Sequence, residues 1–226
     1  MSRSQQLREA IQSSHADLES LPFAAAMARG KITRSEYRYA LGQLYYVHQG
    51  AELEWKRFPE LNVIYSEKMD RTEDILNDLS ALGAKKLESP LPQVRDLVRF
   101  YQELSKRDPW TLLGVLYVLE GSRMGSIVLA LPLSKALQVS KTPGNGLDYH
   151  LTGLEVRPHV WKNFREKFDN LPLTDSQSQE VIRTAEEMMK HLYKIYAQFP
   201  ASKANAMTTM VPVKQTNINN AVASST

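Results

Sequence analysis

The sequence predicts an all-α protein, with one domain of six to eight helices over residues 1–200 and a tail over residues 201–226. Three observations support this fold class. Apolar residues recur at three- and four-residue intervals through almost every segment, as on one helix face, and the alternation typical of strands is scarce. Helix-capping residues stand at the starts of these segments and glycines at their ends. With 42% hydrophobic residues among 226, the chain can bury one core.

The first two helices have marked boundaries. The first is predicted over residues 4–29, and Gly30 ends it because glycine adopts the left-handed conformation of helix ends at little cost. Thr33 and Glu36 have the spacing of a capping box, in which each side chain bonds the backbone of the other residue. The second helix therefore starts at Thr33, and it ends before Pro59.

The middle of the chain predicts two further helices, over residues 66–82 and around residues 94–104. Gly83 ends the first of them. Asp108 and Pro109 then form a strong start signal, because aspartate is a favoured N-cap and proline fits the first helical position. This start opens the most unusual segment of the chain.

That segment is an apolar run over residues 112–133 that contains Gly114, Gly121 and Gly125. Each glycine costs a buried helix about 1 kcal/mol relative to alanine, so a compensating contact is expected. Gly121 and Gly125 are four residues apart and share one helix face, which they leave without side chains. Either another helix or a flat ligand must lie against this bare backbone. The same glycines permit bending, and we predict a kinked helix.

The last third of the chain combines a loop, two helices and the tail. Residues 138–153 are rich in Gly, Thr and Asn and are predicted to be a loop. A short helix follows over residues 159–170 and a long one over residues 174–199. Residues 201–226 have no aromatic residue and few charges, so we expect a disordered tail.

Charge and composition exclude several classes of function. The net charge is only +3 and basic residues are interleaved with acidic ones, so no nucleic-acid partner is expected. The absence of cysteine excludes disulfides, cysteine-ligated zinc, iron–sulfur clusters and thiol nucleophiles. Glu120 and Arg123 near the centre of the apolar run would be costly in lipid, which favours a buried helix over a membrane span. No signal peptide is recognised, and we expect a cytoplasmic protein.

The common nucleotide and metal motifs are also absent. The sequence has no GxxxxGK[ST] loop, no HExxH pair, and no glutamate followed by histidine three residues later. Most metalloenzyme classes with an all-α fold are thereby excluded.

Among the five histidines, His15 has the most suggestive neighbours. Glu19 lies one helical turn further on, where its carboxylate can bond one ring nitrogen and leave the other for a metal. Arg8, two turns earlier, could hold an anionic group beside such a metal. Taken alone, a surface pair of His15 and Glu19 is the commoner explanation. His48 is predicted to lie in the core or in an inter-helix hydrogen bond. The remaining histidines have no carboxylate arrangement that singles them out: His150, His159 and His191.

His15 and the glycine-bearing helix together match the shape of a porphyrin site, with one nitrogen ligand to iron and a bare surface opposite. At these two places the sequence resembles the heme oxygenases. The segment SHADLESLPFAAAMARG is similar to their N-terminal region, where a proximal histidine precedes a glutamate by four residues and a phenylalanine by eight. These residues are His15, Glu19 and Phe23 here. The segment YVLEGSRMGS resembles their distal-helix motif in its bacterial form.

The resemblance extends over roughly residues 7–199 and implies roles for the proximal residues. His15 would be the proximal ligand of the heme iron, and Glu19 would be its hydrogen-bond partner. Arg8 and Arg165 would each meet a heme propionate.

On the distal side the resemblance implies that Gly121 and Gly125 border the heme, with Tyr117 in the same motif. Two positions depart from the family pattern. Ser122 stands where animal members have an aspartate that orders distal water, so a water network must be held differently. Ser126 replaces the second residue of the usual Gly-Gly pair, which narrows the distal surface.

The activity that the resemblance implies is cleavage of heme b, as cofactor and substrate, to biliverdin, CO and ferrous iron. The reaction would use O₂ and electrons from a ferredoxin or a flavin reductase, and nothing in the sequence demands more than a monomer. Three alternatives stay open at this point. They are a heme carrier of the same fold, a thiaminase-like enzyme (which usually needs a cysteine), and a structural protein whose glycines only permit helix packing.

Overall fold

The computed structural model describes residues 1–201, apart from the side chain of Ile127. Over this part of the chain there are nine α-helices and no strand, so the all-α prediction is confirmed. The predicted tail lies outside the described residues except for Ala201. In chain order the helices are α1 Arg3–Ser20, α2 Pro22–Ala28, α3 Arg34–Lys56, α4 Thr72–Ala81, α5 Pro92–Arg107, α6 Leu112–Leu137, α7 Asp148–Leu151, α8 Arg157–Asp169 and α9 Asp175–Tyr196.

The first predicted helix is in fact two helices, because the chain turns at Leu21. That residue has φ −59° and ψ 144°, an extended conformation that a proline favours in the residue before it. Pro22 then occupies the first position of α2, where it needs no hydrogen bond. Gly30 follows α2 with φ +62°, as expected for a glycine that ends a helix.

The predicted helix over residues 66–82 is also divided. A short 3₁₀ turn, Glu67–Met69, is followed by extended backbone at Asp70 before α4 begins. The predicted loop over residues 138–153 was wrong at its end, where α7 forms. The side chain of Asp78 accepts the backbone N–H groups of Asp148 and Tyr149, at 2.6 and 2.9 Å, and so fixes the start of α7 from another helix.

The capping signals are confirmed. In the capping box of α3, the Thr33 N–H donates to the Glu36 carboxylate at 2.8 Å, and the Glu36 N–H donates to the Thr33 hydroxyl at 3.2 Å. Asp108 accepts from the Trp110 N–H at 3.0 Å, and it caps a 3₁₀ turn that leads directly into α6.

Helix α6 lies at the centre of the fold, in contact with α2, α3, α7, α8 and α9. The first two turns of α6 are almost completely buried, with Leu112, Leu113 and Val115 at 0% exposure. At Gly114 the backbones of α6 and α9 approach so closely that a Cβ would lie 2.5 Å from the carbonyl oxygen of Val181. For this glycine, the explanation by helix packing is therefore correct.

In the described part of the chain no single helix is long and apolar enough to cross a membrane. Two segments that meet at a bend of 63°, Pro109–Ser126 and Val128–Leu137, pass that test only as a pair, on length and composition. The bend comes after Gly121 and Gly125 in the chain. It lies close to the backbone carbonyl four residues before Pro132, which has no helical hydrogen bond because proline lacks an N–H group. A kink caused by the glycines themselves stays a prediction.

Candidate functional site

Two contacts hold the N-terminal helices against α6. The hydroxyl of Tyr117 donates to the carbonyl of Ser4 at 3.0 Å. Gly30 packs on the backbone of Pro132, where a Cβ would come within 2.9 Å of the carbonyl oxygen. Along the chain, His15 lies between Ser4 and Gly30, and Gly121 and Gly125 lie between Tyr117 and Pro132. The predicted proximal segment and the predicted distal segment are therefore held alongside each other by these two contacts.

His15 is on α1, and its side chain is 49% exposed. Its Nδ1 lies 3.5 Å from a carboxylate oxygen of Glu19, one turn along the helix, as the sequence predicted. An imidazole held through Nδ1 can coordinate a metal through Nε2. The side-chain exposure leaves His15 accessible to a ligand on the surface of the bundle.

The surroundings of Tyr117, at the end of α6 that carries the Ser4 contact, are basic. Burial raises the pKa of Tyr117 to about 12, and the positive charges of Arg165 and Arg8 act in the opposite direction. The Arg165 guanidinium also lies 5.9 Å from the ring centroid of Trp161. This arrangement offers two cations to an anionic ligand.

Gly121 and Gly125, which we call the glycine face, have different surroundings. A Cβ at Gly121 would lie 3.4 Å from the indole of Trp161. A Cβ at Gly125 would meet nothing within 4 Å. The hydroxyl of Ser122 donates within α6 to the Leu119 carbonyl at 2.7 Å. Gly125 therefore borders open space, as a ligand site requires.

Ser126 has a partner that the sequence did not reveal. Its hydroxyl lies 3.0 Å from Nδ1 of His150, and both side chains are buried. Burial and the nearby positive charge of Arg157 lower the pKa of His150 to about 3, so this histidine is neutral. The two residues are 24 positions apart in the sequence, and α7 is too short to be predicted from a periodic pattern. No local signal could have paired them.

His48 makes the inter-helix hydrogen bond that the sequence predicted. Its Nε2 lies 3.1 Å from the hydroxyl of Tyr149. Burial and the charges of Arg71 and Arg123 lower the pKa of His48 to about 3. The imidazole is therefore a neutral hydrogen-bonding group and contributes no charge.

The charged residues inside the apolar run form a buried ion pair. Arg123 donates to Glu120 at 2.9 Å, and burial raises the pKa of Glu120 despite the neighbouring cations. Arg123 also donates to the Thr152 carbonyl, and Arg157 donates to the carbonyls of Arg123 and Thr152. These bonds attach α6 to the α7–α8 connection, and no pattern in the sequence indicated this role for Arg157.

A cavity of about 70 Å³ lies beside the glycine face. Its polar lining residues are Tyr37, Ser122, Ser126, Tyr149, His150 and Tyr196, and Phe23 and Met27 are among the apolar ones. A cavity of roughly 150 Å³ holds one benzene molecule, so a cavity of about 70 Å³ is too small for a porphyrin. Among residues 1–201 no group of three or more His, Asp or Glu side chains could bind a bare metal ion.

Comparison with known proteins supports one family. The family model described as heme oxygenase matches residues 1–198. The heme oxygenase of Rhodella violacea is 23% identical over 200 residues, which cover 85% of both chains. Heme oxygenase 1 of Synechocystis is 22% identical over 223 residues, which cover 91% of this chain and 88% of that one.

Solved structures agree in fold. The structure of heme oxygenase from Leptospira interrogans superposes with a TM-score of 0.80 at 24% identity, covering 88% of this chain and all of that one. Heme oxygenase-1 from Synechocystis in complex with heme superposes with a TM-score of 0.78 at 19% identity, covering 87% and 91%. At this level of identity the superpositions establish the shared fold.

Proposed function

The chain belongs to the heme oxygenase family, and from this premise we propose that His15 ligates the iron of the heme that the protein binds and cleaves. One observation carries the proposal. The His15–Glu19 pair and the glycine face both lie between the two contacts, Tyr117 with Ser4 and Gly30 with Pro132, that hold the N-terminal helices against α6. The protein is an oxidoreductase that converts heme to biliverdin, CO and ferrous iron.

Heme supplies the iron and the O₂ chemistry, and the described residues bind and orient it. The Glu19 carboxylate, 3.5 Å from Nδ1 of His15, would orient the ring and leave Nε2 for the iron. With histidine as its protein ligand, the iron would be able to bind O₂. Gly125 borders open space, and a larger side chain there would occupy space proposed for the heme and its ligand.

Arg8 and Arg165 are proposed to bind the two propionates. Guanidinium groups bind carboxylates through paired hydrogen bonds, so two of them fix the in-plane rotation of a flat ligand. Tyr117 feels the positive charge of both and is neutral, because burial raises its pKa to about 12. The in-plane rotation of the heme determines which edge of the porphyrin ring is cleaved.

A heme carrier on the same fold uses the same binding residues. One observation favours it: the Ser122 hydroxyl is already bonded to the Leu119 carbonyl within α6. The two functions differ in product formation. A reductant added in air converts the heme complex of the enzyme to biliverdin and leaves that of a carrier unchanged.

We also propose the source of the electrons, the oxidant, the oligomeric state and the location of the protein. Electrons come from a ferredoxin or a flavin reductase, and O₂ is the oxidant. The protein acts as a monomer in the cytoplasm.

Replacement of Gly125 by alanine separates ligand binding from helix packing. The added methyl meets nothing within 4 Å, so we expect the heme-free protein to gain about 0.5–1 kcal/mol of stability from helix propensity. Heme affinity should fall about 5- to 150-fold, because overpacking costs about 1–3 kcal/mol. Hemin titration and urea denaturation measure the two effects.

Gly42→Ala is the matched control, because Gly42 is also inside a helix and a Cβ there meets nothing within 4 Å. It should show the same gain in stability with unchanged heme affinity. Unchanged heme affinity in Gly125→Ala would place the heme elsewhere.

Loss of one propionate partner is expected to change the site of ring cleavage. In Arg165→Ala the heme can rotate about its iron–His15 axis, so we expect a mixture of biliverdin isomers and weaker binding by roughly 10-fold. Chromatography of the product pigments measures the isomer ratio. Lys162→Ala, which removes another exposed cation from α8, is the control. An unchanged single isomer in Arg165→Ala would contradict the assignment of Arg165.

A further inference from the structure

The cavity beside the glycine face contains a buried hydroxyl group with no described partner. Tyr37 is 1% exposed, and its hydroxyl has no hydrogen-bond partner among the described residues. A buried polar group is normally hydrogen-bonded, and an unpaired one destabilises the fold. The Tyr37 side chain lines the cavity, so a molecule inside the cavity is the available partner.

The volume and the lining of the cavity suit water. About 70 Å³ is room for about two water molecules at roughly 30 Å³ each, and an ordered water needs two to four polar neighbours. Tyr37 lines this cavity, as do Ser126 and His150, which are already bonded to each other. These groups offer both donors and acceptors.

The buried groups around His150 keep its imidazole neutral. Tyr37 from α3 stacks on its ring with centroids 6.0 Å apart, and Tyr149 precedes it in α7. Burial and the positive charge of Arg157 on α8 lower the pKa of His150 to about 3, and Tyr196 of α9 lines the same cavity. A neutral imidazole has one nitrogen that donates and one that accepts. With Nδ1 bonded to Ser126, the other ring nitrogen, Nε2, is left to hold a water molecule.

The position of the cavity connects it with the substrate. Ser122 directly follows Gly121, and Ser126 directly follows Gly125. Each serine is therefore rotated by about 100° around the axis of α6 from the glycine before it. The cavity therefore lies directly beside the surface against which the heme is proposed to bind.

We propose that this cavity is a water site and that His150, fixed by Ser126, positions its water to deliver protons to the distal side of the heme. The water site stands on the cavity itself, whereas the proton delivery rests on the proposed function. His150 is a positioning residue in this account. Ser126 supplies the hydroxyl that fixes it, at the place where the family pattern has glycine.

The first experiment tests the water site without heme. In Tyr37→Phe the hydroxyl is removed and the ring is kept. If a water molecule bonds the hydroxyl, its loss should lower the Tm of the heme-free protein by roughly 2–4 °C. An unchanged or higher Tm would show that the hydroxyl has no partner, and the water site would be overturned. Tyr193→Phe, an exposed tyrosine, is the control and should leave the Tm unchanged.

The second experiment tests the link to the heme through a spectroscopic signature. The visible spectrum of the ferric heme complex is titrated with pH in the wild type, Ser126→Ala and His150→Gln. We expect the midpoint of the acid–alkaline transition to shift by about half a pH unit or more in both variants. Ser134→Ala, which loses a hydroxyl bonded to Val139 near the end of the same helix, should show no shift.

The outcomes separate the two levels of the proposal. Unshifted midpoints in both variants would overturn the role of His150 while leaving heme binding established. If the wild-type protein forms no heme complex, the proposed function fails, and so does proton delivery. The Tyr37→Phe result still decides the water site in that case.

Discussion

Replacing His15 with alanine is expected to remove iron coordination while leaving the protein folded. The His15 side chain is half exposed and lies outside the core, so its loss should change the stability by less than about 0.5 kcal/mol. Heme affinity should fall by more than about 100-fold, because even residues that only support a metal ligand contribute 10–100-fold. Hemin titration followed at the Soret band measures the loss.

Two further variants make the His15 experiment decisive. Glu19→Gln should weaken heme binding by about 10-fold or more, since the amide holds the imidazole less strongly than a carboxylate. His159→Ala, which removes an exposed histidine of α8, should bind heme as the wild type does. A His15→Ala protein with a wild-type Soret band would assign the iron to another ligand.

Replacing Gly114 with alanine is expected to be the most destabilising change of a single methyl group. The added Cβ would lie 2.5 Å from the Val181 carbonyl oxygen and 2.9 Å from the Ala185 nitrogen, both of them backbone atoms. Backbone cannot move aside as a side chain can, so α9 must shift away from α6. We expect a loss of about 3 kcal/mol or more, measured by urea denaturation.

The comparison of Gly114→Ala with Gly42→Ala isolates this contact, because only the former places a methyl against backbone. The two variants should change stability in opposite directions. If Gly114→Ala were as stable as the wild type, the close packing of α6 on α9 would be wrong, and with it the position of α6 at the centre of the fold.

The elements that the sequence predicted correctly depend on neighbours within one helical turn. His15 and Glu19 are one turn apart, and Thr33 and Glu36 form a capping box, so local spacing was enough to predict both contacts. The break at Leu21 was not predicted, although Pro22 marks it locally in the sequence.

What could not be predicted depends on contacts across the fold. The start of α7 is fixed by Asp78, which is 70 residues away from Asp148, and Ser126 meets His150 across 24 residues. The glycines of α6 illustrate the same limit. Gly114 packs on backbone and Gly125 borders open space, although both interrupt the same apolar pattern. Only the neighbouring helices distinguish a packing glycine from one in a ligand site.

The central claim is that this protein binds heme through His15 and cleaves it. The most direct test is the visible spectrum of the purified protein loaded with hemin, followed in air after a reductant is added. We predict that the Soret band decays while the absorption of biliverdin grows, and that His15→Ala shows neither the coordinated spectrum nor the product. A Soret band that persists without product would contradict cleavage and identify a carrier, and the absence of a heme complex would contradict the account as a whole.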